Sequence, residues 1–122
     1  MHAAKIIHRD LKPENIVLAR SGVWTIIDLG SATVCKTNMK IYSYAQSRFY
    51  RAPEVALHDQ YSFKIDIWSL GCIIAELITK VPLFEARSEI ELVGKHTSFK
   101  VESVFAKWSS ESFWFLRNVS KE

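Results

Sequence analysis

Apolar positions change rhythm from segment to segment along the chain, and each rhythm predicts a different element. Lys5-Ile6-Ile7 reads as a short extended entry. Ile16-Val17-Leu18 and Val23-Trp24-Thr25-Ile26-Ile27 are short runs of β-branched and aromatic residues, and Arg20-Ser21-Gly22 between them supplies turn chemistry. A β-hairpin is expected there. Ser62 stands where it can cap a long helix running to about Lys80. Ile65, Ile67, Trp68, Leu70, Ile73, Ile74, Leu77 and Ile78 cover nearly every side of that helix, which places it at the centre of a domain. Ser88-Glu89-Ile90-Glu91 has the form of a capping box, opening a helix that carries Ile90, Leu92 and Val93. Val101, Val104, Phe105 and Trp108 recur at helical spacing. Phe113-Trp114-Phe115-Leu116 is an apolar cluster expected to pack on its own domain. The expected fold is mainly α with a small β-hairpin.

Composition narrows the class. A chain of 122 residues with 48% hydrophobic and 12% aromatic content can build a core and is not disordered. A net charge of +3, with basic residues scattered, argues against nucleic acid as a partner. The two cysteines, Cys35 and Cys72, sit in no metal-ligand or disulfide pattern, which fits a reducing intracellular compartment, cytoplasmic or nuclear. Cys72 lies in an apolar run and reads as a small buried hydrophobe. No signal peptide is visible. The longest apolar run, Ile65 to Ile78, is broken by Asp66, Ser69 and Glu76 and falls short of the roughly 20 residues that span a bilayer, so no membrane is expected as a partner.

The candidate chemistry is concentrated near the amino end. His8-Arg9-Asp10-Leu11-Lys12-Pro13-Glu14-Asn15 is followed, after the expected hairpin, by Asp28-Leu29-Gly30. Asp10 can accept a proton from a hydroxyl nucleophile, and Lys12 can neutralise charge on a phosphoryl group in transfer. Asn15 and Asp28 offer the hard oxygen ligands that Mg²⁺ prefers. The hairpin would fold Asp28 back towards Asn15, so that both reach one metal. Taken alone, the first stretch could also be a turn, because Asp, Pro and Asn are common turn formers. His8 reads as a packed loop histidine. Asp66, in the first turn of the long helix, is well placed for the helix dipole.

Further stretches follow in a fixed order: Ala52-Pro53-Glu54, Asp66-Ile67-Trp68-Ser69-Leu70-Gly71 and Pro82-Leu83-Phe84. The series resembles the eukaryotic protein kinases over roughly residues 5 to 94. The resemblance implies a partial C-terminal (lower) lobe, with catalytic loop, activation segment and buried central helix in residues 1–94, and a divergent helical tail in residues 95–122. It implies Mg²⁺ and ATP as cofactors and a protein substrate, with Asp10 as base, Lys12 at the phosphates, and Asn15 and Asp28 on the metal. Arg9 would bind the phosphorylated activation segment. Asp66 would accept hydrogen bonds from the loop backbone around His8 and Arg9. Glu54 would pair with an arginine from a much later helix; that late region has no recognisable counterpart here, and Arg117 is the only late arginine beyond Arg87.

Residues 31 to 51 correspond to the activation segment, and their end is the most specific part. Tyr42-Ser43-Tyr44-Ala45-Gln46-Ser47-Arg48-Phe49-Tyr50-Arg51 is similar to the dual-specificity tyrosine-regulated kinases and their homeodomain-interacting relatives, in the group that holds the cyclin-dependent and MAP kinases. By that resemblance Tyr44 is the regulatory tyrosine, and Arg48 and Arg51 clasp its phosphate. Ser47 would bond the catalytic base and its lysine, which favours serine/threonine substrates. Gly30-Ser31-Ala32-Thr33 also resembles the LAMMER-type relatives. Leu29 replaces the usual phenylalanine, and is expected to change the balance between in and out positions of Asp28 and not to abolish metal binding. The only glycines are Gly22, Gly30, Gly71 and Gly94, so the sequence holds no glycine-rich nucleotide loop. The expectation is a fragment that lacks the ATP-binding upper lobe and is inactive alone. The alternatives are an inactive binding module and a truncated product.

Overall fold

The computed structural model describes residues 1–35 and 41–100. The chain opens with a 3₁₀ turn, His2–Ala4, and then strand β1, Ile6–Ile7. A second 3₁₀ turn, Pro13–Asn15, leads into β2, Ile16–Leu18, and β3, Trp24–Ile26. These two strands pair antiparallel with Val17 opposite Thr25, and Gly22 turns the chain at φ 81°. The expected hairpin is present. A further pairing was not foreseeable from residue pattern: β4, Thr33–Val34, lies antiparallel to β1. Strands of two residues carry no periodicity, so only the fold reveals them.

Three α-helices follow: α1, Pro53–Ala56; α2, Lys64–Thr79; and α3, Glu89–Ser98. The cap expected of Ser62 is corrected: Phe63 is the N-cap of α2 and supplies no side-chain bond, while the Ser62 hydroxyl lies one residue earlier and 3.5 Å from the Lys64 amide, too long to cap the helix. For α3, the Ser88 side chain accepts from the Glu91 amide at 3.2 Å, as a capping box requires. The return bond differs, because the Glu91 carboxylate accepts from the amide of Arg87 at 2.8 Å. The expected helix around Val101 to Trp108 and the cluster Phe113 to Leu116 lie outside the described residues.

The core has two parts. Leu11, Tyr50, Ala56, Cys72, Ile73, Phe84, Ala86 and Leu92 form one. Ile7, Cys35, Ile41, Ala52, Val55, Tyr61 and Ile65 form the other, and Trp68 packs against both. Each therefore joins the segment from Ile7 to Leu11 to α2. Burial pushes the Cys72 thiol up to about 12, which leaves it protonated and inert.

The central position expected for α2 is corrected in one respect. Ile65, Ser69, Cys72, Ile73 and Ala75 are buried, but Ile67 is 60% exposed, Leu77 62%, and Leu70 and Ile74 are also open. The described elements pack against one flank of the helix, and none covers the other. The apolar pattern registers how much surface a helix can bury, not which neighbours cover it.

Candidate active site

Asp66 is the post on which the site stands. It lies in the first turn of α2, only 2% exposed, where a carboxylate is favoured by the helix dipole but costly to bury unpaired. One oxygen accepts from the His8 amide at 2.8 Å and from the His2 ring at 2.7 Å; the other accepts from the Arg9 amide at 3.0 Å. These bonds hold Arg9 at φ 67°, a left-handed backbone that a non-glycine residue keeps only where its surroundings enforce it. His8 ties the loop to the hairpin. Its Nε2 lies 3.1 Å from the Ile27 carbonyl, which can only accept, so Nε2 carries the hydrogen. Its Nδ1 is then free to accept the Asp10 amide at 3.3 Å. His8 is thus a buried brace.

The loop so held presents Asp10 to one side. Its Oδ1 accepts from the Ser47 hydroxyl at 2.7 Å and the Ser47 amide at 2.9 Å, and its Oδ2 pairs with the Lys12 ammonium at 3.0 Å. Lys12 also donates to the Ser47 hydroxyl at 3.3 Å. Burial raises the Asp10 pKa, but the bonds from Ser47 and Lys12 outweigh it and hold the carboxyl below its ordinary value. Lys12 is raised, chiefly by its hydrogen bond to Asp10 and against a smaller effect of burial. The result is an ionised carboxylate beside an ionised ammonium, both partly open to solvent.

Asn15 is buried under the same loop and donates to the Asp10 carbonyl at 2.9 Å, which leaves its amide oxygen as the available acceptor. The Ile27 amide bonds the Asn15 carbonyl at 2.9 Å, so the hairpin brings the residue before Asp28 opposite Asn15. Asp28 is exposed at φ 61°, and one carboxylate oxygen accepts from the Gly30 amide at 3.1 Å. An amide oxygen and a carboxylate are a hard donor set of the kind that holds Mg²⁺ together with phosphates and waters. Among the described residues no group of three or more His, Cys, Asp or Glu could hold a metal. These two side chains fit an ion that arrives with its other ligands.

The segment that supplies Ser47 is clamped by residues whose importance the motifs do not announce. Gln46, buried at φ 68°, donates to the Ile65 carbonyl at 2.9 Å and the Ser69 hydroxyl at 2.8 Å, and accepts from the Ala52 amide at 2.9 Å. Ser69 passes its own hydrogen to the Tyr50 carbonyl at 2.7 Å. The signal was present as a glutamine in an aromatic, basic stretch, but only the fold shows it satisfied on every side. Tyr50 donates to Glu76 at 2.7 Å; burial first, and that bond second, push its phenol up.

The remaining candidates fall into separate groups. Arg9 reaches the Ser31 carbonyl at 2.6 Å, the Ser43 hydroxyl at 2.8 Å and the Tyr61 hydroxyl at 3.2 Å. Arg51 and Tyr44 meet at Glu89 of α3, with an Arg51–Glu89 distance of 2.8 Å. Arg48 donates to the Arg87 carbonyl at 3.0 Å, and its charge still acts on the Tyr44 phenol. Glu54 is half-buried and makes no ion pair with a described residue; Arg117 lies outside the described residues.

A carboxylate, a lysine and a hydroxyl meeting at hydrogen-bond distance beside a hairpin-borne aspartate belong to a known class. The sequence matches the protein kinase domain family over residues 1–122, and the chain belongs to that family. Within it, the chain is a eukaryotic protein kinase sequence that is similar to the dual-specificity tyrosine-phosphorylation-regulated kinases. It is 52% identical over 103 residues to dual specificity tyrosine-phosphorylation-regulated kinase 3 of Mus musculus, covering 77% of this chain and 17% of that protein. It is 55% identical over 93 residues to kinase 2 of the same series from Drosophila melanogaster, covering 75% and 13%. Kinase 4 from Homo sapiens is 56% identical over 89 residues, covering 71% and 17%. The chain thus spans less than a fifth of the length of these relatives. Among the described residues no helix is long and apolar enough to cross a membrane.

Proposed function

We propose that the chain carries the catalytic base, phosphate-facing lysine and metal ligands of a protein kinase acting on serine and threonine, with dual specificity as an extension. On this reading residues 1–94 are part of the C-terminal lobe. One observation carries it: the Asp10 carboxylate is held between Ser47 and Lys12, with Asn15 fastened to the same loop. A substrate hydroxyl brought to Asp10 would give up its proton there. Lys12 would offset negative charge on the group in transfer, and Ser47 would keep base and lysine aligned. Asn15 and Asp28 would hold Mg²⁺. Mg·ATP supplies the phosphoryl group and the divalent charge that stabilises its passage. Tyr44 would be the regulatory tyrosine, with Arg48 and Arg51 for its phosphate, and Arg9 would bind the segment in its active form. Asp66 would set the loop, and Glu54 would pair with a later arginine. The protein substrate and an intracellular location, in cytoplasm or nucleus, belong to the same proposal.

The test joins residues 1–122 behind the glycine-rich nucleotide-binding segment of a relative and supplies Mg·ATP with serine and tyrosine peptides. Transfer to the serine peptide, removed by Asp10→Asn, is the expected result. Transfer that ignores this substitution would overturn the assignment of Asp10.

A further inference from the structure

Tyr44 is 54% exposed, yet its hydroxyl is fully engaged. It donates to Oε2 of Glu89 at 2.8 Å, and Nη1 of Arg51 reaches the same phenol oxygen. The Arg51 guanidinium lies 4.1 Å from the centroid of the Tyr44 ring. Its other nitrogens are committed inward, Nε to the Ala45 carbonyl at 3.0 Å and Nη2 to the Gln46 carbonyl at 2.6 Å. Nη1 alone turns towards Tyr44, and Glu89 occupies it with both oxygens, at 2.8 and 3.1 Å. A phosphate built on the Tyr44 oxygen would carry a charge of about −1.5 to −2 near neutral pH and would arrive beside this carboxylate. Two anions would then compete for the one Arg51 nitrogen that faces them, with the Arg48 charge, which also acts on the Tyr44 phenol, remaining for the phosphate alone. Esterification also removes the phenol hydrogen, so the bond from Tyr44 to Glu89 cannot survive it.

We propose that Glu89 keeps the place of a phosphate: it neutralises Arg51 while Tyr44 is unmodified, and is expelled when Tyr44 is phosphorylated. The inference rests on the reading of Tyr44 as the modified residue. In that modification the phenol oxygen bonds the terminal phosphorus of ATP, the bond from that phosphorus to ADP breaks, and the phenol proton goes to solvent. Arg51 changes partner without moving its inward bonds, because Nε and Nη2 stay on the backbone carbonyls. Glu89 loses both contacts at once. Since it is the first residue of α3, the exchange loosens the join between the activation segment and that helix. Phosphorylation would therefore be reported at α3 as well as at the segment itself.

The experiment uses the 122-residue chain synthesised with tyrosine or with phosphotyrosine at position 44, each with and without Glu89→Gln. Hydrogen exchange at the first turn of α3 and the phosphorus NMR titration of the phosphate are followed. Phosphotyrosine is expected to raise exchange in that turn several-fold. Glu89→Gln should raise it similarly without phosphate, and phosphate should then add little. The second pKa of the phosphate, ordinarily about 6, should be lower in Glu89→Gln than in the native chain, because a competing anion is gone. Glu89→Asp keeps the charge at the helix start but draws it away from Arg51; it should behave as Glu89→Gln does, and serves if the latter does not fold. Unchanged exchange on phosphorylation, or identical titrations with and without Glu89, would overturn the proposal. Whether Tyr44 is modified at all is decided separately, by mapping phosphate on the chain after incubation with Mg·ATP and an active relative. Its absence there would remove the regulatory reading and leave the exchange result standing.

Discussion

Two acid–base clusters lie on either side of the segment from Tyr44 to Arg51, and they are built for opposite ends. In the first, Asp10 is held by Ser47 and Lys12 while its carboxylate stays partly open to solvent. In the second, Arg51 has a side chain only 6% exposed and every nitrogen occupied, by two backbone carbonyls, a tyrosine and Glu89. On the proposed function, the open cluster is the one that would receive a proton from an incoming group. The closed one has no open position, and on the proposal above it would change by exchanging one anion for another. The same short stretch of chain thus serves both, since Ser47 and Arg51 are separated by one 3₁₀ turn, Arg48–Tyr50.

The sharpest way to break the contrast is at Asp10. In the joined kinase, Asp10→Asn should lower the transfer rate about 10²- to 10⁴-fold, the range expected for a positioned general base, with little change in melting temperature. Asp66→Ala should act in the other manner. It strips buried acceptors from the His8 and Arg9 amides, and a cost of about 1–3 kcal/mol is expected from each donor left unsatisfied, read by urea denaturation. Ser47→Ala should cost only about 1 kcal/mol, because the Asp10 cluster is partly hydrated. Its signature lies in pH. The folded pKa of Asp10 is depressed, so its contribution to stability is present above the ordinary value of 3.8 and is lost as pH falls through the lower folded value. Ser47→Ala should narrow that acid window, which melting curves between about pH 5 and 2 would record.

The smallest effect concerns His96, which packs edge-on against Phe84 at 4.7 Å and against Trp68 at 5.2 Å. Burial lowers its pKa, opposed by Glu89, so the unfolded chain binds the proton more readily. Stability should be full above the ordinary value of 6.5 and decline as pH falls below it towards the depressed folded value. His96→Phe should flatten that decline without altering the acid window assigned to Asp10.

Local chemistry made much of this molecule legible. The hairpin announced itself by two β-rich runs around a turn, and α3 by a capping box. The loop from His8 to Asn15 was recognisable because its residue types are set by charge and ligand hardness at fixed spacing. Legibility failed where a partner is distant. Glu89 looks like a helix-start acid, and nothing in its own neighbourhood points to Arg51, 38 positions earlier. Gln46 likewise bonds Ser69, 23 positions on. The exposed flank of α2 shows the same gap from another side: eight apolar positions tell how greasy the helix is, and cannot tell which of its sides the described chain will cover.

The bond between the His8 amide and Asp66 spans 58 positions of sequence, and it carries a consequence for synthesis. A ribosome delivers the amino end first, so the loop emerges well before the helix that aims it. Until α2 has formed and docked, Arg9 has no reason to hold its left-handed backbone, and Asp10 points nowhere in particular. The newborn chain therefore carries Asp10 and Lys12 for some time before Asp66 arrives to fix the backbone that holds them.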